Sequence, residues 1–109
     1  MNKKEFLEFH KSTCEKLIDL TRTKNADYSN DNDNPFHNFE SVEKLDVTTT
    51  EIGFMTRIMD KYNRINSFIK QGFYYVEDEK IEDTCLDAAN YFIMLAAWFK
   101  HKKEINNKL

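Results

Sequence analysis

The chain of 109 residues is 40% hydrophobic and 32% charged, with a formal net charge of −3. That describes one globular domain long enough to bury a core, and the weak negative charge gives no general attraction for a nucleic-acid backbone or an anionic membrane. No apolar run reaches bilayer-spanning length and "MNKKEFLEFHK" lacks the apolar stretch of a secretion signal, so a cytoplasmic location is expected.

With two Gly and one Pro, hairpin chemistry is nearly absent and the expected fold class is all-α, a single helical domain over 1–109. Leu7, His10, Cys14, Leu17, Ile18 and Thr21 recur at helical spacing and predict a first amphipathic helix over about 3–23. Cys14 and Cys85 fall in helical apolar patterns without CxxC spacing, and read as reduced core residues. His10 beside Cys14 reads as core packing in preference to a catalytic pair.

"KNADYSNDNDNPFHNF" follows, placing Tyr28, Phe36 and Phe39 and the sole proline among Asn, Asp, Ser and Lys. A spacer loop needs no aromatics. Such a segment folds back onto a core or closes over a flat ligand. In the ligand reading Tyr28, Phe36 or Phe39 walls off a nucleobase, Asn34 and Asn38 read its edge and Lys24 reaches a phosphate; stacking on a base is worth about 1–3 kcal/mol. In the packing reading Phe36 and Phe39 staple the segment to the core while Pro35 and the Asn residues set turns. Phe39 is assigned to packing, Tyr28 and Asn38 to the ligand.

"FESVEKL" is expected to add a helical turn, and Thr48, Thr49 and Thr50 are candidate N-caps for a second long helix over about 50–70, ended by Gly72. Its apolar face is Ile52, Met55, Ile58, Met59, Tyr62, Ile65 and Ile69. Arg57, Asp60, Lys61 and Arg64 form a second stripe roughly opposite, with an Asp60–Arg64 pair at helical spacing. Phe54, Phe68 and Gly53 flank that charged stripe, which marks a face that meets something besides water.

The third long helix is expected over about 78–103. "CLDAANYFIMLAAWF" is apolar nearly all round, the mark of a helix buried on most sides. Glu79, Asp83, Asp87 and Asn90 nevertheless make one narrow polar stripe, continued by Met94 and Ala97 into the interior. Acidic residues in the first turn complement the helix dipole, but Asp87 and Asn90 lie two turns or more in. A buried carboxylate requires a cation. Either a divalent metal, for which Mg²⁺ suits a carboxylate-rich site without sulfur, or the Arg57, Lys61 and Arg64 stripe supplies it. The scattered His10, His37 and His101 make no metal pair, and no Gly-rich phosphate loop is present. "DNDNPF" fails the calcium-loop pattern because Pro35 stands where the turn glycine belongs.

Taken in order, "KNADYS", "NPFHNF", "RIMDKYNRI" and "VEDEKIEDTCLDAANYFIML" resemble the nucleotide modification associated domain 1 family, small all-helical proteins common in phages and prophages, over about 6–100. That family in turn is similar to the MazG-type all-α nucleoside triphosphate pyrophosphohydrolases. The resemblance implies an antiparallel bundle of three long helices plus a short one, MazG-like and completed by oligomerisation. It also implies Mg²⁺ held by acids on two facing helices and a cytoplasmic setting in a bacterial host. MazG-type enzymes carry ExxE on one helix and ExxD on the next; "RIMD" here places Arg57 where an acid would stand and leaves Asp60.

Two functions follow as expectations. One is a Mg²⁺-dependent pyrophosphohydrolase of a nucleoside triphosphate, with Asp60, Glu79, Asp83 and Asp87 as metal ligands and catalytic acids and Arg57, Lys61 and Arg64 on the phosphates. The other is a phage protein that sequesters a linear or cyclic nucleotide immune signal through arginines, amides such as Asn90 and aromatics with no obligatory metal. In both cases a small-molecule nucleotide is the partner, and membranes and nucleic acids are not. A homo-oligomer, dimer or tetramer, is expected because three helices cannot cover Leu86–Phe99 on every side.

Overall fold

The computed structural model describes residues 1–29, 33–74 and 80–108, in which four helices are joined by turns and irregular segments and there is no strand. They group into two compact units, Met1–Asn38 and Phe39–Leu109.

The first unit is dominated by α1 (Lys3–Ser29). Asn2 starts it by accepting the Glu5 N–H on its side-chain oxygen at 2.9 Å, the work of an N-cap. α1 runs past the expected end at about residue 23, because "KNADYS" is polar but contains neither Gly nor Pro to break it. Tyr28 therefore sits on a helix. The expected apolar face is not buried: Leu7 and Ile18 are more than half exposed. Cys14 is exposed with its Sγ 3.7 Å from His10 Nδ1, which corrects the core-packing reading of both. Downstream, Asn34 organises the turn at Pro35. Its side chain accepts the Phe36 N–H at 3.0 Å and its carbonyl the His37 N–H at 3.2 Å. Phe36 is buried.

α2 (His37–Lys44) leads into the second unit. It ends with Asp46 in the left-handed region at φ 57°, the Asp46 N–H on the Glu43 carbonyl and the Val47 N–H on that of Val42. This is the paired closure of a Schellman motif. α3 (Thr50–Gln71) is capped by Thr49, whose hydroxyl accepts the Ile52 N–H at 3.2 Å. It stops at Gly72 (φ 82°), whose N–H returns to Phe68. α4 (Ile81–Lys108) starts a little later than expected and runs one turn further.

α3 and α4 are antiparallel. Glu51 at the start of α3 bonds Trp98 and Lys102 near the end of α4, Lys61 pairs with Asp87, and Tyr74 just past α3 bonds Thr84 at 2.9 Å. α2 lies across the start of α3 at Gly53, where a Cβ would stand 2.9 Å from Val42 Cγ2. The core is Phe39, Phe54, Ile58, Leu95 and Trp98, with Thr50, Thr84 and Asn90 as its buried polar members.

The faces that are buried differ from expectation. Of the apolar stripe of α3 only Ile58 is buried, while Ile52, Met55, Met59, Tyr62 and Ile69 are exposed. The side that meets α4 is the one carrying Phe54, Arg57 and Lys61, so the charged stripe turns inward at Arg57 and Lys61 while Asp60 and Arg64 stay exposed. Nor is α4 buried on most sides, since Phe92, Ile93 and Phe99 are each about half exposed and Cys85 is exposed as well. A two-helix hairpin with one short helix across its end covers one strip of each long helix. Apolar residues beyond that strip stay outside.

Candidate functional site

The site grows from the inward side of α3. Phe39 of α2 stacks on Phe54 of α3, ring centroids 4.2 Å apart and planes within 10°. Tyr91 of α4 meets Phe39 edge-on at 6.4 Å. The Arg57 guanidinium lies 4.4 Å from the Phe39 centroid and 6.0 Å from that of Tyr91. Phe54 and Arg57, one turn apart on α3, both lie against the Phe39 ring. A cation over an aromatic face is worth about 0.5–2 kcal/mol, more as water is excluded. Arg57 is thus held in orientation by rings from two helices.

One turn on, Lys61 stands between carboxylates. Its Nζ is 3.7 Å from Asp87 Oδ2 and 3.8 Å from Asp60 Oδ2, and Arg64 Nε is 3.4 Å from the same Asp60 oxygen. The chain of charge runs Asp87, Lys61, Asp60, Arg64. Lys61 keeps only 18% of its side-chain surface exposed, against 59% for Asp60 and 46% for Arg64, so the network is sheltered at its α4 end. The cation that Asp87 requires is supplied here by Lys61. The Asp60–Arg64 pair has the spacing expected for it.

The polar stripe of α4 turns inward as its spacing implied. Asp83 is exposed in the first turn, Asp87 is half-buried and Asn90 is 3% exposed, with its amide nitrogen 4.0 Å from Met94 Sδ. Ala97 is exposed, so the inward run ends at Met94. Glu79 lies outside the described residues. Among the described residues no three His, Cys, Asp or Glu side chains are grouped closely enough to hold a metal.

Compared with protein-family models, curated protein sequences and solved structures, the chain matches none.

Of the residues expected at a ligand, α3 and α4 bring Arg57, Asp60, Lys61, Arg64, Asp87 and Asn90 to one side of the hairpin. Lys24, Tyr28, Asn34, Phe36 and Asn38 belong to the first unit. There Lys24 and Asn38 are half-buried, the Asn34 side chain serves the Pro35 turn, and the Tyr28 side chain lies outside the described positions. Phe39 is packed in the core, as assigned.

A second cluster carried no sequence signal. Glu51 Oε1 accepts the Trp98 indole N–H at 2.9 Å and the Lys102 ammonium at 2.6 Å. The Lys102 bond, reinforced by the indole, holds the Glu51 carboxyl down from 4.5 to about 2, and the carboxylate in turn raises Lys102 above its ordinary value. The partners are separated by 47 and 51 positions, so only the register of the hairpin reveals them.

Proposed function

We propose that this chain binds a nucleotide at the face where α3 meets α4, with Arg57, Lys61 and Arg64 as its phosphate contacts. The observation that carries the reading is the setting of Arg57 and Lys61. They sit one turn apart and sheltered, the first oriented by Phe39 and Tyr91, the second held between carboxylates. Planar, pre-oriented arginine and a point-charged lysine are complementary donors for phosphate oxygens. The half-buried Tyr91 ring supplies a face contact of the kind a base takes, while Asn90, 3% exposed, stays in the core. Phe39 is too deeply buried to stack on a ligand.

Phosphate would replace Asp87 as the partner of Lys61 without an obligatory metal, which supports sequestration of the intact nucleotide. A second reading, Mg²⁺-dependent cleavage between the α- and β-phosphates as the MazG-type resemblance implies, rests on a different observation. Asp60 and Asp87, from facing helices, converge on one ammonium, and oxygen ligands from two sides suit Mg²⁺. Asp83 and Glu79 would complete that set.

The test incubates the protein with nucleoside triphosphates, cyclic nucleotides and Mg²⁺, filters it off, heats it and identifies what was released by mass spectrometry. Intact nucleotide from the heated protein means sequestration, and a monophosphate with pyrophosphate in the filtrate means hydrolysis. A protein that neither retains nor cleaves a nucleotide would overturn the nucleotide reading. Asp87→Asn separates the two, raising retention if Lys61 holds phosphate and abolishing cleavage if Asp87 holds metal.

A further inference from the structure

Three side chains of the eight-residue α2 seat it on α3. Phe39 stacks on Phe54, Val42 meets the helix at Gly53, and the Glu43 carboxylate accepts the Thr50 N–H at 3.4 Å. Phe39 and Val42 are three positions apart and share one face of α2, while Gly53 and Arg57 are four apart and share one face of α3. Those two faces meet. Val42 lies on Gly53, and the Phe39 ring lies on the Arg57 guanidinium, 4.4 Å from its carbon.

The contact at Gly53 has no slack. A Cβ there would stand 2.9 Å from Val42 Cγ2 and 3.9 Å from the Phe39 carbonyl oxygen. Carbon atoms settle about 3.5–4.0 Å apart, so a side chain at position 53 would lift α2 by roughly 0.5–1 Å. Val42 is β-branched and strongly prefers one rotamer in a helix, which limits relief by rotation. The Phe39 ring rides on the same short helix, one turn away, and leaves the guanidinium when α2 is lifted.

We propose that the seating of α2 regulates phosphate binding on the hairpin, with Gly53 and Val42 as positioning residues that hold Phe39 on Arg57. It rests on the nucleotide reading of Arg57 and adds an element through which that site is turned up or down. With α2 seated, the freedom of the Arg57 side chain is restricted before a ligand arrives, so binding need not order it. With α2 lifted, Arg57 keeps the Tyr91 ring at 6.0 Å but loses the closer one. Such coupling is reciprocal, so a ligand that needs an oriented Arg57 also holds α2 down.

The test compares the wild-type chain, Gly53→Ala, and Gly53→Ala combined with Val42→Ala, at a temperature where circular dichroism shows all three folded. Proton NMR without ligand reads the Arg57 side chain through the shift that a neighbouring aromatic ring imposes on it. Calorimetry reads the binding of inorganic pyrophosphate. Gly53→Ala is expected to move the Arg57 signals toward their unstructured positions. It is also expected to weaken pyrophosphate binding about 2- to 10-fold, as the need to order one long side chain does. Adding Val42→Ala is expected to return both readings toward wild type, and a combined variant that stays altered would remove Val42 from the device. Unmoved Arg57 signals in Gly53→Ala would overturn the positioning role. Moved signals with unchanged affinity would overturn the regulation. A wild-type chain that ignores pyrophosphate while its Arg57 signals respond as expected would overturn the phosphate reading, and the regulation with it, but leave the seating of Arg57 by α2 established.

Discussion

Lys61 of α3 and Asp87 of α4 stand 3.7 Å apart with 18% and 28% of their side chains exposed, so the hairpin is joined midway by a sheltered ion pair. Exposed pairs are worth about 0–1 kcal/mol and breaking a buried one costs about 3–5 kcal/mol. Asp87→Asn should fall between, at about 1–2 kcal/mol, read from urea unfolding. Lys61→Met with Asp87→Asn should cost less than the sum of the two single changes. Strict additivity would mean that the pair contributes nothing.

The Glu51 clamp makes stability depend on acid. Its carboxyl lies near 2 when folded and near 4.5 when released. Its contribution is therefore complete above about 4.5 and is lost as pH falls from there toward 2. At the other end Lys102 is raised above 10.5 in the folded chain, so its share is complete below 10.5 and disappears as pH climbs through the raised value. Melting temperature against pH should show the acid slope in the native chain and a shallower one in Glu51→Gln. Equal slopes would remove Glu51 from the account.

Gly53 is required by Val42. An added Cβ would lie 2.9 Å from Val42 Cγ2, and a β-branched side chain has little freedom to move away. Gly53→Ala gains about 1 kcal/mol of helix propensity but meets an overpacking cost of about 1–3 kcal/mol. A net loss near 1 kcal/mol is expected in thermal unfolding. Introduced into a Val42→Ala background the same change should stabilise, because the obstructing methyl is gone.

Thr50 is fully buried, and its hydroxyl has no hydrogen-bond partner among the described residues. A buried orphan hydroxyl costs about 1–3 kcal/mol. Thr50→Val keeps the shape and removes that cost, so unfolding should shift upward by about 1 kcal/mol. A lower melting temperature would show that the hydroxyl has a partner after all.

The helices were legible because their signals are local. Thr49 and Gly72 bracket α3 with side-chain and backbone chemistry that acts within a few residues, and the 3.6 period of the apolar positions carried the rest. Which face points inward was less legible. Ile52, Met55, Met59, Tyr62 and Ile69 outnumber Phe54 and Ile58, so periodicity favours the stripe that the hairpin leaves outside. Phe54 and Gly53 beside the charged stripe were the truer signal, since a ring and a missing side chain on one helix face imply a close neighbour. α4, apolar all round, gave no direction by itself. The alliance of Asp87 with Lys61 could be stated as one of two possibilities, but Glu51 with Trp98 and Lys102 needed the antiparallel register.

Trp98 is the chain's only tryptophan, 7% exposed and bonded to Glu51 at the far end of the hairpin from its turn. Its fluorescence is therefore a built-in optical gauge of whether the two helix ends are latched. Opening that end would move the indole into water and redden its emission before the helices themselves are lost, so spectroscopy without any attached dye can separate unlatching from unfolding.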